Sequence, residues 1–313
     1  MKLIESFIIA ITSLFANKMR SALTMLGIII GVGAVITLMS VGRGAQTSIL
    51  STFEQLGTNL LTVVPTSADV GGLIGISPAF TTPSLTLEDA KALERIPGVF
   101  AVAPTNENFV EVTAGNESKA SAIHGTTPEY IKAVNRTIAS GQFISARNVA
   151  GRDLVVVLGP ELAEALFGTR DPIGQNVKIK GHRFTVLGTF EATGSALFGI
   201  SLDNIAIVPI TTFQTRLFTQ RTPSGEDSVQ QISIKAASAA DIEPIREEAK
   251  AIIRKRHRLT ADEKNDFSII SQEQMIEVIN QVTGVFSIFL GAIAGVSLIV
   301  GGIGIMNIML VSV

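Results

Sequence analysis

His124, His182 and His257 are the only imidazoles in the 313-residue sequence, and there is no cysteine. They lie dozens of residues apart, so a metal site would need carboxylates converging from separate elements instead of the short His/Cys spacings that build zinc centres. Adjacent acids stand at Glu88-Asp89 and at Asp262-Glu263. Paired carboxylates can do general acid–base work, but the first pair falls where a helix begins, and negative charge is favoured there by the helix dipole. The structural reading therefore wins. No G-x-x-x-x-G-K-[ST], G-x-S-x-G or H-E-x-x-H occurs, so a P-loop and the commonest hydrolase and metalloprotease signatures are excluded. The one dense basic run, Arg254 to Arg258 with Lys255, Arg256 and His257 inside it, fits a contact with a partner or anionic lipid. It fits better a solvated helix end that complements the dipole. Asn116-Glu117-Ser118 and Asn135-Arg136-Thr137 match the glycosylation pattern, which also arises by chance. No residue is assigned to catalysis, a cofactor or a metal.

What positions these residues follows from the distribution of apolar sequence. Mean hydropathy is +0.42, with 46% hydrophobic and only 17% charged residues, a balance shifted toward membrane proteins. All charges except Lys2, Glu5, Lys18 and Arg20 lie between Arg43 and Glu277, where acids outnumber bases. With a formal net charge of −2 there is no basic surplus to attract nucleic acid. The absence of cysteine suits an oxidising exterior.

Residues 22–41 carry no charge and, as helix, reach about 30 Å, the hydrocarbon thickness of a bilayer. Residues 21–42 are predicted to form a first transmembrane helix, too long for a cleaved signal peptide. Lys18 and Arg20 before it place the N-terminus in the cytoplasm and the following domain outside. Residues 1–20 place Leu3, Ile4, Phe7, Ile8, Ile11, Leu14 and Phe15 on one helical face, as in a helix lying on the cytoplasmic membrane surface. Its alternative is an N-terminal extension of the spanning helix. Residues 278–313 are uncharged and would extend about 54 Å as helix, which predicts a stalk that continues into a second span near Phe286. Ser271 and Gln274 have the capping-box form for the start of that helix. Gly27 with Gly31, and Gly291 with Gly295, are spaced for close packing of helices in lipid.

Residues 43–277 form the predicted extracytoplasmic domain. Its expected order is a strand at 59–64, a Gly/Ser/Pro-rich loop at 65–84, a helix capped by Thr86, and a strand from about Val99 to Val112. A strand, a helix from about Asp241 to Arg258 and a strand from Phe267 repeat that order. The fold class is therefore α+β, two β-α-β units with a β-rich insert at about 113–227. Within the insert, strands are expected at Leu154–Leu158 and around a Gly181-His182 turn. Short helices are expected at Pro128–Val134, capped by Thr127, and at Pro160–Phe167.

The first span, Thr24 to Ile36, and the closing run, Gly301 to Val313, resemble the MacB-like/FtsX-like family of ABC transporter permeases. Val155-Val-Val-Leu-Gly159, Leu166-Phe-Gly168, Asp171-Pro-Ile-Gly174, Phe184-x-Val-x-Gly188 and Ile207-Val-Pro209 also follow that family's outer-domain pattern. The resemblance implies a permease that dimerises with itself or a related permease and pairs with a separate cytoplasmic ATPase. Motion driven by ATP would pass along the long helices to the outer domain, for efflux of macrolide, peptide or lipoprotein-like substrates. Gram-negative members often work with a periplasmic adapter and an outer-membrane channel. FtsX-like relatives instead activate a cell-wall hydrolase, which is the competing expectation. Family members have four spans, so two further helices are expected beyond the point where this sequence stops, at Val313.

Overall fold

The structure, a computed structural model, describes residues 59–65, 83–194, 196–197 and 200–311, with scattered positions between 18 and 47. The expected surface helix at 1–20 and most of the first span lie outside the described residues. The chain divides into two compact units, residues 50–275, and residues 1–49 with 276–313.

In the first of these, the elements in chain order begin with β1 (Leu60–Pro65), β2 (Leu85–Thr86), α1 (Leu87–Leu93), β3 (Val99–Ala114) and β4 (Glu117–Thr126). Next come α2 (Tyr130–Ala133), β5 (Ile138–Gly141), α3 (Ala146–Gly151), β6 (Val155–Leu158), α4 (Pro160–Phe167), β7 (Asn176–Ile179) and β8 (His182–Phe190). Then β9 (Ala196–Leu197), β10 (Ile200–Ser201) and β11 (Ile205–Pro209) lead into α5 (Ile210–Thr212), which a π-helical turn, Phe213–Leu217, extends. The last elements are β12 (Ser228–Val229), β13 (Gln231–Ala236), α6 (Ile242–Arg256) and β14 (Phe267–Ser271), followed by the long helix α7 (Gln272–Val311).

One ten-stranded sheet runs β14-β1-β13-β3-β4-β11-β6-β8-β5, with β7 bridging β3 and β8. The two expected β-α-β units share this sheet. Their strands interleave as β14-β1-β13-β3, all antiparallel, the ferredoxin-like split of the motif. The insert continues the same sheet: β3 pairs with β13 over Val99–Thr105 and with β4 over Thr105–Ala114. Interleaving gives β1, β13 and β3 hydrogen-bonded neighbours on both sides and leaves β14 at the edge.

Alternation along β1 buries Leu61 and Val63 against α6, whose Ile245, Ala249 and Ile253 recur every four residues on one face. Residues 101–106 of β3 are all buried, because Val102 faces that core while Ala101 and Ala103 meet Ala133 and Tyr130 of α2 on the opposite side. In the insert, β6 and β11 pair in parallel with β8 and β4 respectively, and both are covered on two faces. Val156, Leu158, Ala206 and Val208 pack beneath Leu162 and Leu166 of α4, while Val157, Ile205 and Ile207 pack against Ile144 and Phe190. Such double burial is what parallel strands require.

Two local features refine the sequence reading. The Thr127 cap is not made: α2 starts at Tyr130 with no side-chain cap, the Thr127 carbonyl receives the Tyr130 N–H, and its buried hydroxyl has no partner. Arg136 and Asp203, both 8% exposed, form a buried ion pair at 3.3 Å. Asp203 also accepts the N–H groups of Thr193 and Gly194, and Arg136 donates to the Leu202 carbonyl at 2.9 Å. That clasp fixes the segment carrying β9 and β10.

Gly159, between β6 and α4, owes its identity to a close approach. A Cβ there would lie 2.2 Å from the Asp203 carbonyl oxygen, a backbone atom that cannot swing away. Gly159→Ala is expected to destabilise the chain by about 2–3 kcal/mol, in the range of overpacked cores, lowering the melting temperature by about 6 °C. Gly168→Ala, at φ +60° and ψ −122° with open space around it, strains only the backbone and should cost about 1–2 kcal/mol. Thermal unfolding of both variants in detergent checks the order.

Candidate functional site

Asp89 is the N3 residue of α1. Its Oδ2 accepts the Thr86 N–H at 2.9 Å and the Thr86 hydroxyl at 2.7 Å, while the Thr86 Oγ1 accepts the Asp89 N–H at 3.2 Å. A capping box of this kind normally sits in solvent, but Asp89 is only 2% exposed. Its burial is possible because two cations from the end of α6 reach it. The Arg256 Nε hydrogen-bonds Oδ1, and the His257 Nε2 stands 3.3 Å from Oδ2. On its other edge the His257 Nδ1 is 2.9 Å from both oxygens of Asp266, the residue just before β14. The ring also meets Phe267 edge-on at 6.0 Å.

The electrostatics follow from these contacts. Burial would push the Asp89 carboxyl up, but hydrogen bonds from His257, Arg256 and Thr86 overcome it and hold the group well below the usual carboxylate range. The hydrogen bond to Asp89 raises His257 above the ordinary histidine value against the opposing effect of burial, and Asp266 adds to the rise. Two carboxylates thus share one imidazolium. The arrangement links the start of α1, the end of α6 and the start of β14.

Within the basic run at 254–258, Lys255, Arg256 and Arg258 are exposed, as expected of a solvated helix end, while Arg254, Arg256 and His257 also find partners within the protein. Arg254 donates to the Glu263 carbonyl at 3.0 Å, to the Thr260 carbonyl and to the Asn265 side chain, tying down the loop between α6 and β14. Arg258 follows the His257 C-cap with φ +57°. The Arg258 N–H bonds the Lys255 carbonyl and the Leu259 N–H bonds the Arg254 carbonyl, the Schellman ending of a helix. Around this junction Ser84, Thr86, Thr222, Ser224, Glu226 and Arg258 join Asp89, Arg256, His257 and Asp266 in lining a cleft of about 550 Å³.

The other residues singled out from sequence lie elsewhere. His124 is on β4, facing Glu107 at 3.6 Å; burial holds its value down, and its Nδ1 has no partner. His182 opens β8. Among the described residues no three His, Asp or Glu side chains are grouped to hold a metal ion. Glu88 pairs with Lys91 on the exposed side of α1. Gly27 and Gly31 lie outside the described residues. Gly291 and Gly295 fall on α7, with open space where a Cβ would be. That helix follows β14 directly: the Ser271 hydroxyl accepts the Gln274 N–H and the Gln274 side chain accepts the Ser271 N–H. Large apolar residues on it are exposed, among them Val285, Phe286, Ile288, Phe289, Val296 and Ile299. Among the described residues it is the one helix long and apolar enough to cross a membrane.

Residues 21–252 match the family described as MacB-like periplasmic core domain. The macrolide export ATP-binding/permease protein MacB of Rhodospirillum rubrum is 35% identical over 311 residues, which is 99% of this chain and 45% of that protein. The chain thus spans about half the length of the curated relatives it matches. The crystal structure of the periplasmic region of MacB from Actinobacillus actinomycetemcomitans matches with a TM-score of 0.59 at 18% identity, over 74% of this chain and 97% of that one. The extracellular domain of the noncanonic ABC-type transporter YknZ from Gram-positive bacteria matches with a TM-score of 0.53 at 19% identity, over 68% of this chain and 100% of that one. At these identities the structural likeness is one of fold.

The Asp89 network has a defined response to pH. A histidine raised in the folded state stabilises most below its unfolded value, about 6.5, and that contribution fades as pH rises through the folded value. The depressed Asp89 contributes fully above its unfolded value, about 3.9, and loses that contribution as pH falls through the folded one. The stability advantage of the parent chain over His257→Gln should therefore be greatest at about pH 4 to 6.5 and shrink on the alkaline side. Asp89→Asn, which leaves the cations without their buried anion, should destabilise by about 3 kcal/mol. Denaturant titrations across pH measure both.

Proposed function

This chain belongs to the MacB-like periplasmic core domain family, and from that premise we propose that it is the permease part of an ABC-type export system. The observation that carries the reading is the family match across residues 21–252, together with 35% identity to an ATP-binding/permease protein along nearly the whole chain. The sequence has no P-loop, so ATP is hydrolysed by residues other than these 313. A cytoplasmic ATPase drives movement, and the outer unit acts on cargo outside the membrane.

Physical features support the assignment. A 40-residue helix with large apolar side chains exposed around it is unfavourable in water, at about 25 cal/mol per Å² of apolar surface, and at home in hydrocarbon. We place a second span at 21–42, with Lys18 and Arg20 holding the N-terminus in the cytoplasm and residues about 43–277 outside. Gly27, Gly31, Gly291 and Gly295 let spanning helices approach in a homodimer or a permease heterodimer. The helix from Gln272 onward is the transmission rod. A periplasmic adapter and an outer-membrane channel complete the export route, and macrolides are the first cargo to test, after the relative's name.

The tagged protein, carrying the two further helices expected beyond Val313 and extracted from its membrane in mild detergent, is expected to bring down an ATP-binding cassette subunit. Recovery in the soluble fraction without detergent would sink the proposal. Gly291→Leu combined with Gly295→Leu should weaken self-association, read by cross-linking in the membrane, while leaving the fold of residues 50–275 intact by limited proteolysis. Unchanged cross-linking removes the packing role of those glycines.

A further inference from the structure

The cleft beside His257 is lined by six charged side chains, and four of them satisfy one another: Asp89 and Asp266 against Arg256 and His257. The remaining two are Arg258, from the C-terminal end of α6, and Glu226, from the turn before β12. Both line the cleft and both are exposed. Neither makes an ion pair or a side-chain hydrogen bond among the described residues, so they do not neutralise each other. Among the described residues the cleft wall therefore presents one unpartnered cation and one unpartnered anion, from different elements. Hydroxyls of Ser84, Thr222 and Ser224 stand among them.

The backbone makes Arg258 the more telling of the pair. It occupies the left-handed position after a Schellman ending, where glycine is the ordinary residue, at φ +57°. The Arg258 side chain is exposed and makes no ion pair with the described residues. Arg256 also lines the cleft; it binds Asp89 through Nε, and its two Nη groups make no hydrogen bond to the described residues. A guanidinium with free donors on a cleft is suited to a carboxylate, which it can hold by two charge-assisted hydrogen bonds. A ligand that is only anionic would also bring its charge toward Glu226, whereas one that also carries an ammonium group turns that repulsion into attraction.

We propose that this cleft binds a small zwitterion bearing an unblocked carboxylate and an unblocked ammonium group, the carboxylate held by Arg258 and the ammonium by Glu226. A free amino acid and a short peptide share that chemistry. The cleft, about 550 Å³, lies within the range of small-ligand pockets, roughly 300–1,000 Å³. Residues in extended chain advance about 3.3–3.6 Å each, so a tripeptide separates its charges much further than an amino acid does. The site stands independently of the export reading.

The test uses the full chain in non-ionic detergent and equilibrium dialysis with labelled alanine and trialanine. At least one of them is expected to bind saturably; the tighter binder identifies the free amino acid or the short peptide as the ligand class. N-acetylation or C-amidation should weaken binding by about tenfold each, the scale of one lost charge-assisted contact. Arg258→Gly, which restores the residue the backbone prefers, should abolish the penalty for C-amidation, and Glu226→Gln should abolish the penalty for N-acetylation. Lys255→Ala, on the same helix end but outside the cleft, should bind as the parent does. Circular dichroism confirms folding of each variant. The proposal is overturned if neither alanine nor trialanine binds below about 10 mM, a free energy near −3 kcal/mol, or if the blocked forms bind as well as the free ones.

Discussion

The two hydrogen-bonding edges of β3 are shared between different partners along its length, and this division is what holds the outer unit together. Its first half completes the interleaved sheet with β13, and its second half opens the insert with β4. Because side chains alternate along a strand, a slip of one residue in its first half would send Val102 toward α2 and Ala101 and Ala103 toward the core beneath α6. The core beneath α6 and the core beneath α4 are coupled through this backbone, without a flexible linker between them.

Onto that frame the side chains add a charged junction. α1 and α6 lie on the same face of the sheet, and Asp89 joins their ends, accepting a backbone N–H at the start of α1 and side-chain donors from the end of α6. His257 carries the link onward to Asp266 and hence to β14. Burying a carboxylate is unfavourable unless its charge is compensated, and here compensation comes from three elements together. The same requirement explains the Arg136–Asp203 pair in the insert, where Asp203 is further satisfied by two backbone N–H groups. In both places a buried charge fixes the position of a loop that apolar packing alone would leave free.

Much of the outer unit was legible in the sequence because its signals are local. Thr86 with Asp89 three residues on, Pro160 at the start of a helix with Gly168 at its end, and the alternation at Val177, Ile179, Phe184 and Val186 are each readable within a few residues, and the structure carries the corresponding elements. Pairing is not local. Nothing near Leu60 announces that its strand lies between β13 and β14, each about 170 residues or more away, and interleaving was missed for that reason. Asp89 was read correctly as a helix-start acid, but its contact with His257 spans 168 positions and has no sequence signature. Thr127 shows the converse failure: the right residue type preceded a helix, but its carbonyl took the first turn's hydrogen bond. The basic run at 254–258 is in part the solvated helix end its composition suggests, with Lys255, Arg256 and Arg258 exposed, but composition cannot reveal which guanidinium finds a carboxylate.

The junction between Ser271 and Gln272 has no intervening loop, so the last residue of β14 is also the cap of α7: its hydroxyl accepts the Gln274 N–H while its own N–H is taken by the Gln274 side chain. One residue thus ends a ladder and starts a helix. Shortening the strand by a single position would strip the first turn of that reciprocal pair and leave two donors open.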